Sequence, residues 1–285
     1  MLNIDKFDFQ NSTIIKPPQA NFDKNDHRKH VNYTRLIIDS RDRDINQYPN
    51  PASYVIDLPD DINDVVAAEL HVADITLSAP LVNQYNNTIT FNINGTDITV
   101  TLEPGNYNAG KNLGTAIANV LANTDPTFTG TFDTDTEKFI FTCANVFNLS
   151  MQSIERNLAR ILGFNTVPVV QNINGLYTLK STYKINTSDN TYIVLQIDNF
   201  PVNHSITPII DKSFAILGPS QDKLYQYSNK PVRKDLNPPI GKLSRLRLKF
   251  SDYYGNLYDF QNYDHRLEIV FESYKVLRKY MSYVD

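Results

Sequence analysis

Ile89, Phe91 and Ile93 alternate with polar residues, the chain turns at Asn94-Gly95, and Ile98, Val100 and Leu102 alternate back. A period of two on both sides of a pair that accepts positive φ specifies a β-hairpin with one buried face. Strand-like stretches recur at YTRLIIDS (33–40), SYVIDLP (53–59, ended by Pro59), Val65 to Leu77, and a second hairpin from Thr127 to Cys143. They return at TYIVLQI (191–197), SFAIL (213–217), LRLKF (246–250) and LEIVF (267–271). In LRLKF, Leu246, Leu248 and Phe250 face one way while Arg245, Arg247 and Lys249 face the other, the alternation of a half-buried outer sheet. Such a chain is expected to be mainly β.

Two segments change period. Leu113, Ala116, Ile117, Val120 and Leu121 recur at helical spacing up to the Asn123-Thr124-Asp125-Pro126 stop. Phe147, Leu149 and Met151 then carry the strand period on, Ser153 caps a short helix with Ile154, Leu158, Ile161 and Leu162 as its stripe, and Gly163 ends it. Residues 88–164 therefore read as a compact ββαβββα unit.

A single cysteine, Cys143, excludes an internal disulfide and a thiolate metal cage, so the fold must stand on packing. The 27 basic and 31 acidic residues give a net charge of −4, which does not favour nucleic acid as a partner. The first residues show neither a basic nor an apolar leader region, and no apolar run approaches membrane-spanning length, so a soluble, unexported protein is expected.

Residues 1–32 carry KPPQANFDKNDHRKH without periodicity and read as an extended arm, with Arg28 and Lys29 as candidate contacts. Residues 218–242 read as a long proline-bearing loop, either functional or draped over a partner, offering Tyr225, Tyr227, Arg233 and Lys234. The run DSRDRDINQYPNP (39–51) adds Arg41, Arg43 and Tyr48.

Motifs for chemistry are weak. Asp39, Asp42 and Asp44 offer oxygens to a divalent cation, but Arg41 and Arg43 interleave them, which favours backbone-capping aspartates beside outward arginines. Asp133, Asp135 and Glu137 read as a solvated turn, and His27 and His30 supply only two imidazoles. His265 beside Asp264 reads as a structural histidine closing a turn, His71 as a satisfied edge or core histidine, and Cys143 as a packed thiol. No phosphate-binding glycine loop, nucleophile elbow or His-Glu-x-x-His occurs. No catalytic, cofactor or metal residue is assigned.

Three segments carry a family resemblance. DSRDRDINQYPNPASYVIDLP (39–59), LEPGNYNAGKNLGTAIANVL (102–121) with LARILGF (158–164), and LSRLRLKFSDYYGNLYDFQNYDHRLEIVF (243–271) follow one another in order. Together they resemble the minor capsid and capsid-associated proteins of nucleocytoplasmic large DNA viruses. That resemblance implies a jelly-roll-like β-sandwich and a structural, non-enzymatic role without a cofactor. The chain would cement major capsid capsomers and other minor capsid proteins on the inner face of a virion assembled in host cytoplasm, near an inner viral membrane but without a span of its own. The expected organisation is an arm at 1–32, a sandwich from 33–84 and 171–277, an inserted α+β unit at 85–170, and a tail at 278–285. A glycan-binding attachment module, and a packaged hydrolase using His265 with Asp264, are the alternatives.

Overall fold

The computed structural model describes residues 31–76, 78–150, 158–166, 169–187, 192–200, 203, 205–218 and 231–274. The largest sheet contains β1 (Val31–Asp39), β2 (Ser53–Asp74), β10 (Ile193–Ile197), β11 (Ala215–Leu217), β12 (Val232–Ser251) and β13 (Arg266–Tyr274). Its order is β1-β13-β2-β12-β10-β11, antiparallel throughout.

Its spine is the ribbon of β2 on β12. β13 and β1 extend the ribbon beside residues 65–74 of β2, while β10 and β11 extend it beside residues 248–251 of β12. Between these two ends the ladder slips twice. β2 advances from Asp57 to Ile62 opposite Ser244, and β12 advances from Asp235 to Ile240 opposite Val66. Bulged residues need no ladder N–H and bend the strand that bears them. Pro59 lies in the first bulge, and Pro238 and Pro239 lie in the second.

Two expectations are corrected here. Pro59 does not end a strand, because the bulge removes any demand for its missing donor. Nor is 218–242 a loop throughout, since residues 232–242 form the first half of β12. The bent sheet encloses one core: Phe200 packs on Phe214 beside β11 and on Phe271 of β13, with ring centroids 5.5 and 6.1 Å apart.

A second core lies in the segment between β2 and β10. β3 (Thr88–Ile93) pairs with β4 (Thr96–Thr101) through a turn with positive φ at Asn94 and Gly95, and with β7 (Phe147–Leu149) on its other side. β5 (Thr129–Asp133) and β6 (Lys138–Cys143) form the next hairpin. Phe91, Phe128, Phe141 and Phe147 interlock with centroids 5.0–6.3 Å apart. Burial of each such ring contributes about 1.5–3 kcal/mol relative to exposure.

The helix α1 (Leu113–Leu121) lays Leu113, Ile117 and Leu121 on this core. A Cβ on Gly130 of β5 would sit 2.2 Å from the Gly114 carbonyl oxygen, so the helix touches the strand backbone to backbone. The short α2 (Leu158–Ile161) ends at Gly163, whose φ of +83° makes the expected stop, while Met151, Ser153 and Ile154 lie outside the described residues.

β8 (Gln171–Ile173) and β9 (Leu176–Lys180), expected in the larger β unit, join the β5–β6 sheet instead: β9 pairs with β6, and β8 with β9. Their Asn174-Gly175 turn has φ of +52° and +85°. Tyr177, Leu179 and Ile185 thereby join the second core.

The stretch before α1 is strained. Tyr107, Asn108, Ala109 and Gly110 have φ of +46°, +53°, +54° and +87°, a left-handed turn closed by Gly110 N–H donating to the Asn106 carbonyl at 2.8 Å. A side chain in this region costs about 1–2 kcal/mol. Ala109 is exposed, so Ala109→Gly relieves strain without losing packing. A gain of about 1 kcal/mol is expected in chemical denaturation; an unchanged or lower midpoint would contradict this turn.

Candidate functional site

The charged run 39–51 is a self-clamped connector. The Asp39 carboxylate accepts from the Arg41 N–H at 3.0 Å and from the Arg41 guanidinium at 2.8 and 2.6 Å. That guanidinium holds the Asp39 carboxyl down at about 2, while burial acts weakly the other way. Asp44 caps the N–H groups of Asn46 and Gln47. Both aspartates thus serve the backbone. No group of three or more His, Cys, Asp and Glu side chains gathers as a metal site among the described residues.

Arg43 differs from Arg41. Its side chain is only 10% exposed, against 71% for Arg41. It donates to the carbonyls of Ser40 (2.5 Å), Tyr48 (3.1 Å) and Pro49 (3.5 Å), with the Asp264 carboxylate 3.9 Å away. The expected outward arginine is therefore turned inward, because three connector carbonyls converge on it. Tyr48 is partly buried against the first core.

The connector is latched to the start of β13. Ser40 donates its N–H to the His265 carbonyl (2.9 Å) and its hydroxyl to Asp264 (2.9 Å), and that hydroxyl accepts the His265 N–H (3.0 Å). The His265 ring, in a residue only 3% exposed, packs between Phe250 and Phe260 with both centroids at 4.5 Å. Its Nε2 meets the Tyr54 hydroxyl at 3.0 Å, and Nδ1 has no partner among the described residues. Burial, with help from the Arg43 charge, lowers this imidazole to about 4 and keeps it neutral. Asp264 engages Ser40 rather than the ring, so the two do not form an acid–base pair.

Cys143 is buried and donates its thiol to Asp125 at 2.9 Å, with Thr127 and Asn145 donating to the same carboxylate. Burial first, then this carboxylate, pushes the thiol up, away from the nucleophilic thiolate. His71 pairs with Glu69 at 3.0 Å.

Beside the connector opens a cleft of about 620 Å3. Pro49, Asn50 and Pro51 of the connector, Pro104 of the PGNY segment and residues 257–262 line it together with Asn83 to Tyr85. Among its described lining residues are two carboxylates, Asp252 and Asp259, and no cation. Residues 78–87, the linker that leads from β2 to β3 at its base, are pinned on both sides. Leu81 N–H donates to Asn106 at 2.9 Å, and Ser78 and Ala79 N–H donate to the Tyr258 hydroxyl at 3.3 and 3.4 Å. No sequence reading singled out this linker; the Asn-rich run VNQYNN (82–87) was its only signal.

The remaining candidates divide. Arg233 spans three carboxylates on the sheet surface: Glu69 and Glu272 at 2.6 Å and Asp235 at 2.8 Å. Lys234 faces inward, buried, and donates to Asn203 Oδ1 at 2.5 Å; burial lowers its ammonium. Neither sits on a loop as expected, and Lys234 is not available to a partner. Arg28, Lys29, Tyr225 and Tyr227, with His27 and His30, lie outside the described residues.

These features define a mainly β protein of curled antiparallel sheets, of the β-sandwich and jelly-roll type. No protein-family model and no curated protein matches the sequence. Among solved structures, it is similar to the mavirus penton protein at 16% identity and a TM-score of 0.38, over 85% of this chain and 99% of that one. It is also similar to a chain in the cryo-EM structure of the Sputnik virophage at 12% identity and a TM-score of 0.39, over 86% of this chain and 98% of that one. At these identities and TM-scores neither likeness transfers a role to any residue. No helix among the described residues is long and apolar enough to cross a membrane.

Proposed function

We propose that this chain is a structural protein of a viral capsid, a minor capsid protein that cements capsomers on the inner face of a large icosahedral shell. The carrying observation is convergence: all three segments that bear the family resemblance meet at one cleft. Residues 49–51, 104, 252 and 257–262 are far apart in sequence, yet they line this cleft together. What the fold builds there is a pinned joint between two packed units, suited to holding neighbours at a fixed angle. On this reading the unit built on the six-stranded sheet and the unit that lies between β2 and β10 act as two contact bodies, with major capsid and other minor capsid proteins as partners. Several weak contacts from one chain raise effective concentration without one tight site.

The test is copy number. Quantitative mass spectrometry of purified particles should find this chain in hundreds of copies or more, counted against the most abundant capsid protein. A handful, or none, would remove the shell-wide role.

A further inference from the structure

We propose that the edge of β1, unpaired among the described residues, is a pairing site for a second copy of this chain, the two β1 strands running antiparallel about Thr34. β1 is a nine-residue edge strand, whereas β11, at the opposite edge of the same sheet, has three residues. β1 contains no proline, and its register against β13 runs unbroken from Val31 to Asp39. Natural edges are commonly blunted by shortness, bulges, proline or charged side chains; β1 has none of the first three, and its mid-strand charge, Arg35, is paired with Glu268 of β13 at 3.1 Å. Tyr33 and Ile37 are each 56% exposed on it.

The register decides which backbone groups are free. Ser40 N–H donates to the His265 carbonyl, and the same pairing sum carries down the ladder through Ile38–Leu267, Leu36–Ile269 and Thr34–Phe271. In an antiparallel ladder the bonded pairs alternate. The even-numbered residues therefore face β13, and the N–H and C=O groups of Val31, Tyr33, Arg35 and Ile37 point to the open edge.

A two-fold axis at Thr34 matches this pattern. Tyr33 then forms a hydrogen-bonded pair with the second copy's Arg35, and Val31 with the second copy's Ile37, each pair occurring twice. The guanidinium lies against an aromatic ring, apolar meets apolar, and threonine faces threonine at the axis. An axis at Arg35 would also align the bonding groups, but it would set two arginines directly opposite each other. The charge pattern thus disfavours the Arg35 axis, and the order of Val31, Tyr33, Arg35 and Ile37 along one edge complements itself about Thr34, which is why a second copy is the occupant proposed. The inference does not depend on the capsid reading, since it needs only the sheet.

Sedimentation velocity of the full chain through the micromolar range, combined with amide hydrogen exchange, tests it. The expected result is a concentration-dependent dimer, with the amides of Tyr33, Arg35 and Ile37 protected only in the dimer. Tyr33→Lys should weaken the dimer about tenfold by facing the second copy's Arg35 twice. Tyr33→Glu, facing the same arginine with opposite charge, should keep or strengthen it, and thermal melts of both monomers confirm folding. A monomer at every concentration would overturn the proposal. So would equal weakening by Lys and Glu, or protection of these amides in the monomer, which would mean that another segment of the same chain covers the edge.

Discussion

Arg43→Ala lowers the unfolding free energy by about 2–4 kcal/mol, while Arg41→Ala leaves it close to that of the parent chain. The two arginines are neighbours in one charged run, so composition predicts no difference between them. Geometry does. Removing Arg43 strips a charged donor from the carbonyls of Ser40, Tyr48 and Pro49 in a side chain almost closed to water. Removing Arg41 dissolves an exposed pair with Asp39, which solvent replaces cheaply. Urea denaturation of both variants at neutral pH reads the contrast. Equal losses would mean that the connector is not held by Arg43.

The second large effect is on pH. The His265 imidazole titrates near 6.5 when unfolded and at about 4 in the fold. Between these values the unfolded chain binds a proton that the native chain refuses. Stability is therefore fully present above about pH 6.5 and drains away as pH falls towards 4. At about 1.4 kcal/mol for each unit of displacement, roughly 2–3 kcal/mol is lost by about pH 4.5. The facing groups sharpen the assignment. Tyr54 contacts Nε2, Phe250 and Phe260 exclude water, Arg43 opposes protonation, and Asp264 and Asp39 favour it more weakly. Asp39, held at about 2, withdraws its own contribution only at lower pH. His265→Gln should flatten the pH 7 to 4.5 difference by about 2–3 kcal/mol; a variant that loses as much as the native chain would show that the ring is already hydrated.

What the sequence made legible was local. The Asn94-Gly95 hairpin, the α1 stripe and the Gly163 stop depend on residues within one turn of each other; the hairpin and the stop stand, and the stripe stands at Leu113, Ile117 and Leu121, while Val120 is exposed and Ala118 is buried. Pro59 and Pro238 misled because a proline argues against a strand unless the opposite strand lets it bulge out, and that strand lies about 180 residues away. Lys234 was readable in principle, since it shares parity with buried Leu236, but only once the strand is known to begin at Val232. Asn174-Gly175 was a visible hairpin signal between strands too short to show their period. The Arg41 and Arg43 contrast was not legible at all, because it depends on where three carbonyls from the rest of the connector end up.

The ribbon of β2 on β12 has a consequence for how the chain reaches this state. Its partners are separated by the whole second core, so their pairing must close a long loop before any contact rewards it. Most strands of that core pair with near neighbours in sequence and close at smaller entropic cost. Once they have done so, the segment between β2 and β12 is no longer a long free coil: each end of it is tied into a packed body, Leu81 on Asn106 and Asn186 on Ile161. A segment packed in this way leaves the two halves of the spine a shorter search than a free coil of the same length would.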